Sequence, residues 1–177
     1  MMKDEQTANA STATAVARPS STLVIGLGNP ILGDDGVGWK VVEELQSKIG
    51  NRKSEIEFDC LSLGGLSLME RMLGYRRVVI VDSMATGQSP AGSVSVFPLS
   101  SLSDPMAGHS ASTHDTSLLT ALETAKAMGL PIPKSVDIVA IEARNVYDFS
   151  EELSQPVADA VVVAVQAVMD LLSKEEP

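Results

Sequence analysis

Residues 24–38 read VIGLGNPILGDDGVG, in which Gly26, Gly28, Gly33, Gly36 and Gly38 surround Asn29 and two consecutive carboxylates, Asp34 and Asp35. A short β-type run followed by this many glycines turns a strand into a loop that can approach a ligand closely. The acidic pair falls where the next helix begins. Asp82 follows the apolar run VVIV, and the two histidines of the chain, His109 and His114, precede a leucine-rich helical segment. If the intervening strands are parallel, all of these groups can converge on one rim. Two carboxylates and an imidazole form an oxygen/nitrogen donor set suited to a borderline divalent metal such as nickel or zinc. Three protein ligands leave positions open for substrate or water, as metal-assisted hydrolysis requires.

Each residue also has a purely structural explanation. Asp34 and Asp35 can serve as an N-cap and a first-turn acid that complements the helix dipole. Asp82 can cap a turn at a strand end. His114 can be a helix-entry residue beside a capping Ser112 or Thr113, and His109 sits in a Gly/Ser loop with nothing to anchor it. Cys60 reads as a small buried hydrophobe, because no basic neighbour would lower its pKa.

The elements that must position these side chains alternate along the chain. Thr22–Gly26 reads as a buried strand, and Val37, Val41, Val42, Leu45 and Ile49 recur at helical spacing, predicting a helix over 35–49. Strands are expected at 55–61, 77–82, 92–98 and 136–142, with Pro98 marking 92–98 as an edge strand whose Val94, Val96 and Pro98 alternate against serines and Phe97. Helices are expected at 66–73, 115–128 (Leu118, Leu119, Leu122 and Ala125 inward) and 151–172. Strands alternating with helices predict an α/β fold: a three-layer α/β/α arrangement around a central, mostly parallel, twisted sheet of about five strands. In such folds ligands bind outside the carboxyl ends of the strands.

Composition narrows the function classes. With 177 residues and 44% hydrophobic content, residues 22–172 suffice for one domain that buries roughly 70% of its extended surface. Residues 1–21, rich in Ser, Thr and Ala, read as a disordered tail, and 173–177 as a frayed helix end. The tail lacks the apolar stretch of a signal peptide, and its early acids argue against a transit peptide. The formal net charge of −10 disfavours nucleic acid and favours basic or metal-bearing partners. The most apolar stretch is interrupted by Asp159, Gln166 and Asp170, short of the ~18 uninterrupted apolar residues of a membrane span. A single cysteine excludes an internal disulfide and suits a reducing cytoplasm. The expectation is a cytoplasmic monomer without membrane or nucleic-acid contact.

Several common chemistries fail on residues. A dinucleotide fingerprint beginning at Gly26-x-Gly28 would need its third glycine at position 31, which is Ile31. A nucleophile elbow at Gly65-Leu66-Ser67-Leu68 would need glycine where Met69 stands. Neither an H-E-x-x-H helix nor the Asp-Thr/Ser-Gly signature of the pepsin-like dyad is present.

Two families share parts of the opening segment. The string GLGNP, Gly26 to Pro30, resembles peptidyl-tRNA hydrolase, but that family continues into a segment holding its catalytic histidine, and none occurs here before His109. The fuller similarity is to the hydrogenase maturation endopeptidases, which open with Gly-x-Gly-Asn, a few apolar residues, Asp-Asp/Glu and a glycine-containing helix start. It continues through Ile80–Asp82, Ser112-Thr113-His114-Asp115, Ile141-Glu142-Ala143 and Phe149–Ser154. The resemblance implies an aspartic-type endopeptidase that removes a C-terminal extension from the precursor of a nickel-iron hydrogenase large subunit, its partner, after nickel insertion. The family's three metal-contacting positions fall on Asp35, Asp82 and His114, with Asp35 and Asp82 also as candidate catalytic acids, and the nickel arrives with the substrate. Asp34 then sets the turn, and His109 has no counterpart. A non-proteolytic nickel-dependent assembly chaperone is the alternative, followed by a peptidyl-tRNA hydrolase-like esterase. The loop Cys60–Gly65 departs from the family's Asp-Gly-Gly-Thr-like turn and is expected to contribute to substrate choice.

Overall fold

The computed structural model describes residues 22–50, 55–103 and 113–174; the side chains of Ser103 and of residues 113–117 lie outside that description, as do His109 and the N-terminal tail. The element order is β1 (Thr22–Leu27), α1 (Val37–Ile49), β2 (Ile56–Leu61), α2 (Gly65–Met72), β3 (Arg77–Met84), β4 (Val94–Pro98), α3 (Thr113–Ala127), β5 (Ser135–Glu142) and α4 (Gln155–Ser173), with 3-10 turns at Gly33–Gly36 and Leu99–Ser103. One five-stranded sheet has the order β2-β1-β3-β5-β4. Its pairs are parallel except for β4, which runs antiparallel to β5 along the edge. The three-layer, mostly parallel arrangement is the one expected from the alternation of apolar runs and helical patterns.

The central strands explain why their sequences are apolar without interruption. β1 and β3 are buried along their whole length, because helices cover both faces of the sheet. On one face Leu23, Ile25, Val78 and Ile80 pack with Leu68 and Met72 of α2 and Leu118 and Ala125 of α3. On the other, Val24, Val79 and Val81 pack with Val41 and Leu45 of α1 and Ala164 and Val168 of α4. On β4 the inward residue is Phe97, 9% exposed, whereas Val96 is 47% exposed. At an edge the larger aromatic reaches the α3 side of the core, and the valine is left in solvent.

α4 is long and apolar enough to cross a membrane by length and composition alone. It lays Val157, Ala160, Ala164, Val165, Val168 and Leu171 against the sheet. Pro156 lies in its first turn, where a missing N–H is no loss.

The topology creates a crevice. The chain leaves β1 for β2 on one side, while β3 leads to β5 and β4 on the other, so the loops after β1 and β3 diverge. The carboxyl ends of β1 and β3 form the switch point at which α/β folds bind ligands. α1 approaches this point as closely as backbone permits. A Cβ on Gly26 would stand 2.4 Å from the Gly38 carbonyl oxygen, and one on Gly38 would stand 2.3 Å from that of Leu27 and 2.4 Å from that of Val81.

Candidate active site

The loop after β1 is folded so that its acids face different partners. Gly28 has φ +124°, and a side chain there would collide with the Asp35 carbonyl oxygen at 1.9 Å; only glycine lets the loop double back. Asn29 closes the turn, its side-chain oxygen accepting from the Ile31 N–H at 3.2 Å. The Asp35 carboxylate then accepts from the Asn29 N–H at 2.7 Å and from the Ser83 hydroxyl at 3.0 Å. Ser83 belongs to β3, so this second bond ties the loop after β1 to β3 across the switch point.

Asp82 is inside β3, which runs two residues beyond the end expected from the apolar run. It is 3% exposed, and its carboxylate accepts from the Ser83 N–H at 2.8 Å. Side chains alternate along a strand, so Asp82 shares the sheet face of Val78, Ile80 and Met84, the face covered by α2 and α3. α3 delivers the chain to Ser135 at the start of β5. Its first turn, with His114, therefore stands toward the rim where β3 ends. Among the described residues, no three of His, Cys, Asp and Glu are gathered as a ligand set, the imidazole of His114 being outside them.

Asp34 has a different role. It is fully buried and accepts four hydrogen bonds: from the Ser154 N–H at 2.7 Å, the Ser154 hydroxyl at 3.0 Å, and the N–H groups of Asn145 and Arg144 at 3.2 and 3.4 Å. Ser154 is the N-cap of α4, and its hydroxyl makes no capping bond to that helix. The buried charge is thus held by backbone dipoles and the positive end of a helix. Neither acid caps α1, whose N-cap is Gly36 without a side-chain bond. Asp34 locks the loop after β1 to the loop after β5, and Asp35 faces β3.

Two positioning groups carried little signal in the sequence. Ser83 is one, an ordinary residue that follows Asp82 and becomes relevant through a bond across 48 positions. Ser62 is the other, its hydroxyl donating to the Gly28 carbonyl at 2.7 Å. The loop that departs from the family pattern therefore abuts the turn that presents Asp35. A third buried carboxylate, Glu142, accepts from the Thr86 hydroxyl and the Gly87 N–H, both at 2.7 Å, and so anchors the connection between β3 and β4.

Cys60 is held in its unreactive thiol form. Burial, then the nearby carboxylates of Glu43 and Asp59, push its thiol up to about 11. At pH 8 this leaves roughly a hundredth of the thiolate of an unperturbed cysteine. Iodoacetamide is expected to modify Cys60 slowly in the native protein and about a hundredfold faster in urea, followed by mass spectrometry; equal rates would show the thiol to be open and unperturbed.

Comparison with known proteins adds identity to this geometry. Curated protein sequences contain no match. Among solved structures, the chain is similar to the hydrogenase maturating endopeptidase HybD from E. coli, with TM-score 0.68, 21% identity, and 85% of this chain and 91% of that one covered. It is also similar to the [NiFe] hydrogenase maturation protease HybD from Thermococcus kodakarensis, with TM-score 0.62, 24% identity, and coverage of 85% and 97%. A hydrogenase 2 maturation peptidase from a Thaumarchaeota archaeon matches with TM-score 0.61, 28% identity, and coverage of 88% and 100%. The first two likenesses establish the fold. The profile of the hydrogenase maturation protease family HycI matches residues 39–171, a span that contains Asp82 and His114 and begins just after the Gly26–Gly38 loop. With most of its length matched, the chain belongs to the hydrogenase maturation protease family.

Proposed function

We propose that this protease removes the C-terminal extension of a nickel-iron hydrogenase large-subunit precursor after nickel has been inserted, and that it recognises the nickel borne by that substrate. The observation that carries the reading is the Asp35 carboxylate, held at the switch point by Asn29 and Ser83. Its two oxygens each accept one of these bonds and keep lone pairs for a further partner. Asp35, Asp82 and His114 form an oxygen/nitrogen set that suits nickel without the thiolates of a structural zinc site. In this reading the three side chains complete the coordination of the incoming metal, so that only loaded precursor is seated with its scissile bond at the rim. The metal supplies carbonyl polarisation or an activated water. Asp35 or Asp82 accepts the proton of the attacking water, which is the aspartic-type character of the reaction. The reducing cytoplasm is the compartment that fits a chain with one cysteine.

The test is gel mobility of purified precursor incubated with the protein, with and without nickel loading. A shortened large subunit is expected only from loaded precursor. His114→Ala is expected to abolish that shortening, with an unchanged circular dichroism spectrum; full processing by this variant would remove His114 from the site. Stable binding of precursor without shortening would instead identify an assembly chaperone.

A further inference from the structure

The chain has six aromatic residues: one Trp, two Tyr and three Phe. Tyr75 and Phe97 are buried, and Trp39 and Phe58 are partly covered. The remaining two, Tyr147 and Phe149, are 86% and 87% exposed, and both lie in the loop after β5. A protein this poor in aromatics has no structural reason to hold a third of them in water.

The loop that carries them is held at three places. Its beginning and end are held by Asp34, through Arg144, Asn145 and Ser154. Its middle forms a parallel β-bridge between Ser150 and Leu32: the Ser150 N–H donates to the Ile31 carbonyl at 3.1 Å, and the Gly33 N–H donates to the Ser150 carbonyl at 2.7 Å. The bridge sets Phe149 beside Ile31, itself 48% exposed. Ile31 is in the loop that presents Asp35, so the same loop that carries the candidate acid is tied to the loop that carries the exposed aromatics. Between and after the aromatics stand exposed carboxylates, Asp148, Glu151 and Glu152, against one exposed cation, Arg144. Val146 points inward and roots the loop in the core.

We infer that Ile31, Tyr147 and Phe149, framed by Asp148, Glu151 and Glu152, form the docking surface for a segment of the precursor that carries apolar residues together with Lys or Arg. Preorganised aromatics supply most of the binding energy of protein interfaces at low entropic cost. A cation over an aromatic face beside a carboxylate is held by both groups. The net charge of −10 steers a basic segment toward the rim and repels acidic ones. This inference rests on the protease reading for the identity of the partner, and the surface itself is separable from the chemistry.

The test uses the full chain and nickel-loaded precursor, with Tyr147→Ser/Phe149→Ser and Glu151→Lys/Glu152→Lys as double variants. All four positions are exposed, so the fold is expected to be unaffected. Each double variant is expected to raise KM for precursor about tenfold with kcat unchanged. Added salt should weaken wild-type binding and have less effect on the lysine variant. Calorimetry of precursor binding is run on the same proteins. Binding by the wild type without cleavage, weakened in the variants, overturns the protease reading and supports the surface. Equal Kd for wild type and both variants overturns the surface whatever the cleavage result, as does the absence of any wild-type binding. Sedimentation completes the set: a wild-type dimer that the serine variant dissociates would make the patch a self-association face and overturn the inference.

Discussion

Alanine at Asp34 is expected to lower the unfolding free energy by about 3–5 kcal/mol, whereas alanine at its neighbour Asp35 costs about 1 kcal/mol and abolishes precursor processing. The contrast follows from partners. Removing the fully buried Asp34 carboxylate strands four donors at once, three of them backbone N–H groups. Asparagine does not rescue it well, because its NH2 group would face donors where only acceptors serve; about 2–3 kcal/mol of loss is expected. Asp35 is itself only partly buried and leaves two donors without their acceptor, the Asn29 N–H and the Ser83 hydroxyl, and a hydroxyl can rotate to another acceptor. Urea unfolding and the precursor gel assay, run on both variants, check the separation. Comparable destabilisation by the two substitutions, or processing by Asp35→Ala, would show that the roles have been misassigned.

Gly38→Ala is expected to be as damaging as losing Asp34. Helix propensity alone predicts the opposite sign, since alanine gains about 1 kcal/mol over glycine in a helix interior. The clash outweighs that gain. The new Cβ would sit 2.3 Å and 2.4 Å from the carbonyl oxygens of Leu27 and Val81, and both are backbone atoms of buried central strands. Nothing flexible can yield, so α1 must lift from the sheet and carry the Gly33–Gly36 turn with it. A net loss of about 3 kcal/mol or more is expected, with precursor processing reduced even where the variant still folds. Thermal unfolding of Gly38→Ala beside the wild type decides the point. A Gly38→Ala protein as stable as the wild type would show that α1 has room to move.

The buried strands were legible because both sheet faces are covered, which forces unbroken apolar runs such as VVIV. Helix α1 was legible from Val37, Val41, Val42 and Leu45, although the residues before it form a 3-10 turn rather than its first turn. The end of β3 was misplaced by two residues because Asp82 and Ser83 are polar, and polarity inside a strand reads as a strand end. The alternation of Val94, Val96 and Pro98 against the serines and Phe97 did not say which face of the edge strand finds cover, and it is Phe97 that is buried.

Composition and residue order alone determined the α/β architecture and the edge position of the strand ending at Pro98; the family resemblance then implied Asp35, Asp82 and His114 as the candidate set. Such features depend on local periodicity and on motifs contained within a few residues. Tertiary structure alone supplied the partners that distinguish the two members of the acidic pair. Asp34 and Asp35 are adjacent and chemically identical, so no local rule separates them. One meets donors 110 to 120 positions away, in the loop after β5 and at the N-cap of α4, and the other meets a hydroxyl 48 positions away on β3. Burial and hydrogen bonding act on distances in space, and these two carboxylates acquire different surroundings only when the sheet brings those distant segments to one rim.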